Sequence, residues 1–288
     1  MRQYTIAGYE IQISGKGLSS LSGFDFFISE KTDNEPLLVI GTEAVLRDWA
    51  TSPVFASEYE GISYDLSVRK NDYLFRMKHP DGSCLLAEVR REDNCFQAAI
   101  QQIGIFEVKS LHYICWLLFG VAALSHQTVS IHASAVMYQG KSVLFLGESG
   151  TGKSTQTVLW LNHIPGTEML NDDSPFIKVE SDGSIRVYGS PWSGKTACYK
   201  NIRTPIAAFV RLSQAPYNRI RCLKGIETIG ALLPSCPFAF AYEKQLSESI
   251  YSILSQTLEQ TPVYHLECLP DACATQLVYS TLKQNGHL

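Results

Sequence analysis

Over the first hundred residues the apolar positions recur with a period near two. "YTIAGYEIQIS" (Tyr4 to Ser14) alternates loosely, and "SYDLSVRKNDYLFRMKHPDGSCLLAEV" (Ser63 to Val89) reads as successive strands with a turn at Asp81-Gly82. From Phe106 to about Ser125 the period becomes helical. After Tyr113 the apolar residues run right round that helix, the mark of a helix covered on every side. The change of period predicts a β-rich N-terminal subdomain over 1–103 and a second domain over 104–288.

Beyond the buried helix, strand, loop and helix patterns alternate. "VSIHASAVMY" (Val129 to Tyr138) and "KSVLFLG" (Lys141 to Gly147) read as strands, and a helix runs from Gly152 to about Asn162. "TEML" (Thr167 to Leu170) is a short strand, and "SPFIKVESDGSIRVYG" is a hairpin turning at Asp182-Gly183. "AAFVRL" and "VYHLEC" are further strands. Helices are expected over Glu243 to Glu259 and Asp271 to Lys283. The class is mixed α/β.

Composition narrows the function. Apolar residues make up 45% of the 288 and charged residues 18%, enough for a sizeable core and unlike a disordered chain. The 24 basic and 28 acidic residues leave a net charge of −4, so no basic surplus exists to grip a nucleic-acid backbone. The eight cysteines form no C-x-x-C pair, and Met1 onward does not resemble a signal peptide; reduced thiols in a cytoplasmic protein are expected. The most apolar run, Ile114 to Leu124, is too short to span a bilayer, so no membrane partner is expected.

One stretch carries chemistry. In "LFLGESGTGKSTQ" (Leu144 to Gln156), Gly147, Gly152, Lys153 and Ser154 complete the pattern G-x-x-x-x-G-K-S between a strand and a helix. The glycines let successive backbone N–H groups turn toward an anion, and the helix beginning at Gly152 adds its positive end. Lys153 is suited to the outer phosphates and the Ser154 hydroxyl to magnesium. The expected nucleotide contacts are Gly147, Glu148, Ser149, Gly150, Thr151, Gly152, Lys153, Ser154 and Thr155, with ATP and Mg2+ as the ligands.

Geometry draws other residues toward that loop. The helix carries the chain roughly 15 Å away, and "TEML" returns it by about 13 Å. A right-handed crossover then brings Asn171-Asp172-Asp173 level with the phosphates. Two adjacent carboxylates there suit magnesium and the acceptance of a proton. A hairpin around Gln139-Gly140 pairs Tyr138 with Lys141 and sets His132 opposite Gly147. A turn at Asp182-Gly183, pairing Ser181 with Ser184, sets Asp172 and Asp173 beside Ser193 and Trp192. "GSPWSGK" then brings Lys195 to the same place as a second cation. Trp192, Ser193 and Lys195 are the candidate acceptor-binding residues.

At "SIHASAV" (Ser130 to Val136), "GESGTGKST" (Gly147 to Thr155) and "NDDSPF" (Asn171 to Phe176) the chain resembles the HPr kinase/phosphorylase family and, more distantly, ATP-dependent phosphoenolpyruvate carboxykinase. "YGSPWSGK" resembles the HPr kinase-like subgroup. The resemblance covers about residues 125–283 and implies a mixed-sheet P-loop kinase domain that self-associates. It implies His132 and Asp172 as the catalytic pair, aided by Lys153, with Ser154 and Asp173 on the metal; the two aspartates could exchange jobs. The chain departs from that family in "IRVYG", which lacks a glutamate found there, and in its N-terminal hundred residues. The expected function is an ATP- and Mg2+-dependent kinase acting on a hydroxyl acceptor: a small molecule, a peptide or a protein serine. The alternative is a nucleotide-binding regulatory or assembly protein with little turnover; a third reading is phosphorolysis of a phosphoprotein.

Overall fold

The computed structural model describes the chain except residues 16, 19, 20, 31–33, 43–45, 47, 48, 50, 105, 106 and 195. It is mixed α/β, with a β-rich N-terminal region. Two compact units divide it: Met1–His126 with Ala239–Glu248, and Gln127–Phe238 with Ser249–Leu288.

The first unit contains β1 (Arg2–Ile6), β2 (Tyr9–Ile13), β3 (Leu38–Gly41), β4 (Phe55–Tyr59), β5 (Ile62–Arg69), β6 (Asp72–Lys78), β7 (Cys84–Glu92), β8 (Cys95–Ile103) and helix α1 (Val108–Leu124). The strands form one sheet in the order β1-β2-β3-β8-β7-β6-β5-β4. Pairing is antiparallel except where β3 lies parallel to both β2 and β8. Helix α1 packs against β7 and buries residues around its whole circumference from Ile114 onward, as its apolar pattern predicts. The first segment of this unit runs through that helix to His126, so α1 belongs with the sheet it covers. Phe106, at the expected start of the helix, lies outside the described residues.

The second unit holds β9 (Thr128–Ser130), β10 (Ala133–Tyr138), β11 (Lys141–Leu146), α2 (Lys153–His163), β12 (Thr167–Asp173), β13 (Phe176–Val179), β14 (Ile185–Tyr188), β15 (Arg203–Gln214), β16 (Arg219–Cys222), α3 (Ile226–Leu232), the later part of α4 (Lys244–Gln260), β17 (Val263–Cys268) and α5 (Ala272–Gln284). Its sheet runs β12-β10-β11-β15-β14-β13-β9, with β17 between β15 and β16. Strand β11 lies antiparallel to β10 and parallel to β15, which in turn lies parallel to β17. Trp160 and Ile164 of α2 and Ala274, Val278 and Leu282 of α5 close one core with Val143, Phe145, Val210 and Leu266 from the strands. That packing fixes the start of α2 at the carboxyl end of β11.

Three local expectations change. "VSIHASAVMY" is two strands, because the Ile131 N–H goes to the Pro175 carbonyl and the His132 N–H to the Ser235 carbonyl, 3.0 and 2.6 Å away, which breaks the ladder between β9 and β10. The strand begun by "TEML" continues through Asp173. The hairpin at Asp182-Gly183 is offset by one residue, with Val179 opposite Ile185. Its loop is three residues long. Gly183 adopts φ +81° and donates to the Glu180 carbonyl, and the Asp182 carboxylate accepts from the Ser184 N–H.

Candidate functional site

The chain leaves β11 at Leu146 and turns through Gly147, whose φ is +156°. A Cβ there would lie 2.3 Å from Thr151 Oγ1, so only glycine fits. Thr151 ties the loop to itself by donating from Oγ1 to the Glu148 carbonyl at 2.8 Å. Gly152, at φ +107°, leads into α2, whose first turn has no side-chain cap and so presents open N–H groups. Lys153 is buried and bends back over the loop, its Nζ donating to the carbonyls of Gly147 (2.8 Å) and Glu148 (3.1 Å). Burial draws its pKa below the usual lysine value, against the pull of Asp173 and Glu148. An ammonium so placed is ready to exchange carbonyls for phosphate oxygens.

Strand β12 reaches the loop through β10. Ser134 lies opposite Asp172 and Ala133 opposite Asp173. Asp172 is 2% exposed, and three donors surround its carboxylate. Ser134 Oγ donates to Oδ1 at 2.5 Å, Ser154 Oγ to Oδ1 at 3.0 Å, and the Thr196 N–H to Oδ2 at 3.2 Å. Asp173 is more open. His132 Nδ1 stands 3.2 Å from its Oδ1, and Ser174 Oγ donates to Oδ2 at 2.9 Å. Burial alone would raise its pKa; the His132 hydrogen bond and charge, Ser174 and Lys153 outweigh that and hold the carboxyl below its usual value. Its backbone φ is +149°, a region that side-chain-bearing residues avoid at a cost of about 1–3 kcal/mol.

The side chains thus pair in the exchanged order that the resemblance leaves open for the two aspartates. His132 meets Asp173, and Ser154 meets Asp172. The cause is the sheet: Ser134 claims Asp172 across the β10/β12 pair, and the positive φ of the next residue swings Asp173 to the end of β10, where His132 stands.

The segment after β14 does return to the aspartates. Ser193 bridges to Asp173, one position from the expected register, and the Gly194 N–H donates to the Asp172 carbonyl. Buried Asn171 holds the segment in place: its amide donates to the carbonyls of Ser190 and Trp192, both at 3.2 Å, and its Oδ1 accepts from the Ser174 N–H. Trp192 is buried edge-on to Phe176, beneath the site. Ser193 Oγ donates to the Thr196 carbonyl at 2.6 Å. Lys195 lies outside the described residues.

A cavity of about 380 Å³ gathers His132, Ser134, Lys153, Ser154, Asp172 and Asp173 beside the loop. Ser134 could have been found beforehand, since reading Val129 to Tyr138 as one strand sets it on the face of His132, two residues away. Arg211 has a fainter signal, a charge at the end of a strand. It lies opposite Leu146 in the parallel β11/β15 pair, with Nη2 3.0 Å from Glu148 Oε1. Its other amine donates to the Ala231 carbonyl and to Ser235 Oγ. Arg219 and Arg221 pair with Glu267 and Glu227 on the β16 edge, as expected of an exposed strand.

Among the described residues, no three His, Cys, Asp or Glu side chains gather tightly enough to hold a metal on their own. The donors at Asp172 and Ser154 are nonetheless hard oxygens, which suit an ion that takes one or two protein ligands and completes its shell with phosphates and water. Among the same residues, no helix is long and apolar enough to cross a membrane.

No family model and no curated protein matches the chain. Among solved structures it is similar to that of the Hpr(Ser) kinase/phosphatase from Coxiella burnetii, with a TM-score of 0.30 and 13% identity over 54% of this chain and 88% of that one. A likeness of that size leaves the site to be judged by its own side chains.

Proposed function

We propose that the chain is an ATP- and Mg2+-dependent kinase of the HPr kinase-like type, transferring the γ-phosphoryl group to a hydroxyl acceptor. The observation that carries this reading is the separation of the two carboxylates beside one phosphate loop: Asp172 on Ser154, Asp173 on His132. Magnesium, held by Ser154 and Asp172, would neutralise phosphate charge. The loop N–H groups and Lys153 hold the β- and γ-phosphates, and Asp172 accepts the Ser154 O–H hydrogen bond so that the hydroxyl's lone pairs face outward. Asp173 accepts the acceptor's proton as its oxygen bonds to the γ-phosphorus. The bridging oxygen then leaves with ADP. His132 orients Asp173 and keeps it ionised. Such a transfer needs positioning and charge neutralisation more than covalent chemistry.

The test is incubation of the purified chain with γ-labelled ATP, Mg2+ and a metabolite and peptide extract. A labelled acceptor is expected, and Lys153→Ala should abolish nucleotide binding. Tightly held ATP with no labelled product would replace this reading with that of a nucleotide-binding regulator.

A further inference from the structure

The cavity at the aspartates meets others at the phosphate loop. A second, of about 520 Å³, is lined by Gly150, Thr151, Gly152 and Thr155 of the loop and by Gln156, Gln214, Ala215, Cys268, Leu269 and Pro270. The two share Gly150, Gly152 and Thr155 and so adjoin across the loop; another, of about 490 Å³, shares Gly150, Thr151 and Gln214 with the second and is lined by Glu148, Arg211 and His265. The first two differ. Lys153, His132, Asp172 and Asp173 stand at the first, and the second contains no Asp, Glu, Lys, Arg or His. The sheet order explains this, because β10 and β12 lie on one side of β11 while β15 and β17 lie on the other.

The geometry points to the neutral cavity as the seat of the nucleoside, and to a seat that does not discriminate between purines. This rests on the kinase reading above and extends it to the direction of the nucleotide and the class of triphosphate accepted. Volume and lining suit a flat heterocycle with its ribose, since such sites are mostly apolar clefts of about 300–1,000 Å³. Selectivity between adenine and guanine needs protein groups that meet the ring edge: an N–H for adenine N1 or guanine O6, or an acceptor for the adenine amine or the guanine N1–H. At the far wall those donors are spent. The Ala215 N–H goes to the Cys268 carbonyl at 3.1 Å, the Leu269 N–H to Asn218 Oδ1 at 2.8 Å, and Pro270 has none. The side-chain amides are also engaged. Gln214 Nε2 donates to the Gly150 carbonyl at 3.1 Å; Gln156 Nε2 meets Cys268 Sγ, and Gln156 Oε1 accepts from Thr275. With those N–H groups spent, the far wall meets the base chiefly through the apolar faces of Ala215, Leu269 and Pro270, which serve either purine equally.

Two plugs test the seat. Ala215→Trp fills the neutral cavity from the residue just past β15, and Leu269→Trp does so from the residue just past β17, where the native side chain is already 39% exposed. Calorimetric titration of wild type and both variants would use ATP, GTP and inorganic tripolyphosphate, each with Mg2+. The expected results are ATP and GTP affinities within about tenfold of each other, and a loss of about tenfold or more in ATP affinity on plugging while tripolyphosphate binding holds. Retained tripolyphosphate binding also certifies the fold. A hundredfold preference for ATP over GTP overturns the lack of discrimination. Failure of both plugs to separate ATP from tripolyphosphate overturns the seat while leaving the kinase reading intact. A wild-type chain that binds none of the three ligands removes both the seat and the kinase reading.

Discussion

Asp172 and Asp173 are consecutive carboxylates on one strand, yet they occupy two different environments. Asp172 is sealed in the sheet, 2% exposed, with two hydroxyls and one N–H aimed at its oxygens. Asp173 leaves the strand through a φ of +149°, keeps a side chain 39% exposed, and meets an imidazole. A buried, saturated carboxylate is a fixed negative charge that can steady a hydroxyl or a cation but has no open path to an incoming substrate. A half-exposed carboxylate beside a histidine can meet a substrate hydroxyl and take its proton. Neighbours in sequence become different reagents because one keeps the strand conformation and the other leaves it.

Substitution at each aspartate should break that contrast in distinguishable ways. Asp173→Asn removes the proposed proton acceptor and keeps the shape; labelled-phosphate transfer should fall by about 10²–10⁴-fold while ATP binding persists. A transfer rate close to wild type would reject Asp173 as the base. Asp172→Asn acts elsewhere. Loss of the negative charge behind Ser154 should weaken the Mg2+ dependence of nucleotide binding by about 10–100-fold, as seen in nucleotide titrations at stepped Mg2+. Should Asp172→Asn leave Mg2+ dependence alone and abolish transfer, the two roles are the reverse of those proposed.

The parts of this site that were legible in the sequence are those set by local rules. The loop lies within eight consecutive residues, and the β10/β11 register follows from a two-residue turn with Gln139 and Gly140 at φ +48° and +78°, which fixes Tyr138 opposite Lys141. The hairpin between β13 and β14 obeys the same physics with one more loop residue, and the extra residue moved every pair by one position. Helix α3 went unseen because its seven residues are too few to display a period. So did the parallel placement of β3, since alternation reveals which face of a strand is buried but not its neighbour. Asp173 stayed ambiguous for a deeper reason. Its backbone φ of +149° carries no signal in the neighbouring sequence, and two of the partners it meets there, His132 and Ser193, come from other segments of the chain. The jobs of two adjacent carboxylates cannot be assigned before that angle is known.

The strain at Asp173 offers a finer test. Asp173→Gly and Asp173→Ala both delete the carboxylate and its contacts, but glycine accepts a φ of +149° and alanine does not. In urea unfolding the glycine variant should be more stable than the alanine variant by about 1 kcal/mol, even though glycine is ordinarily the poorer strand residue. The reverse order would mean that the backbone at this position is relaxed. Both variants should be inactive in transfer, which separates the carboxylate's chemistry from the conformation that presents it.

Proton linkage should give the smallest effect. The Asp173 carboxyl sits below its usual value of 3.8 because His132, Ser174 and Lys153 favour the ionised form over the opposing effect of burial. A carboxyl depressed in the folded state adds stability above its unfolded pKa and loses that contribution as pH falls through the folded value. The stability gap between wild type and Asp173→Asn should therefore be steady down to about pH 5 and close progressively below about pH 4, near the unfolded carboxylate pKa. Urea midpoints of both proteins at pH 5 and pH 3 measure it. Asp172→Asn, run in parallel, isolates the contribution of the neighbour. A gap that widens on acidification would show that Asp173 is held protonated in the folded chain, and a protonated carboxyl could not serve as the base.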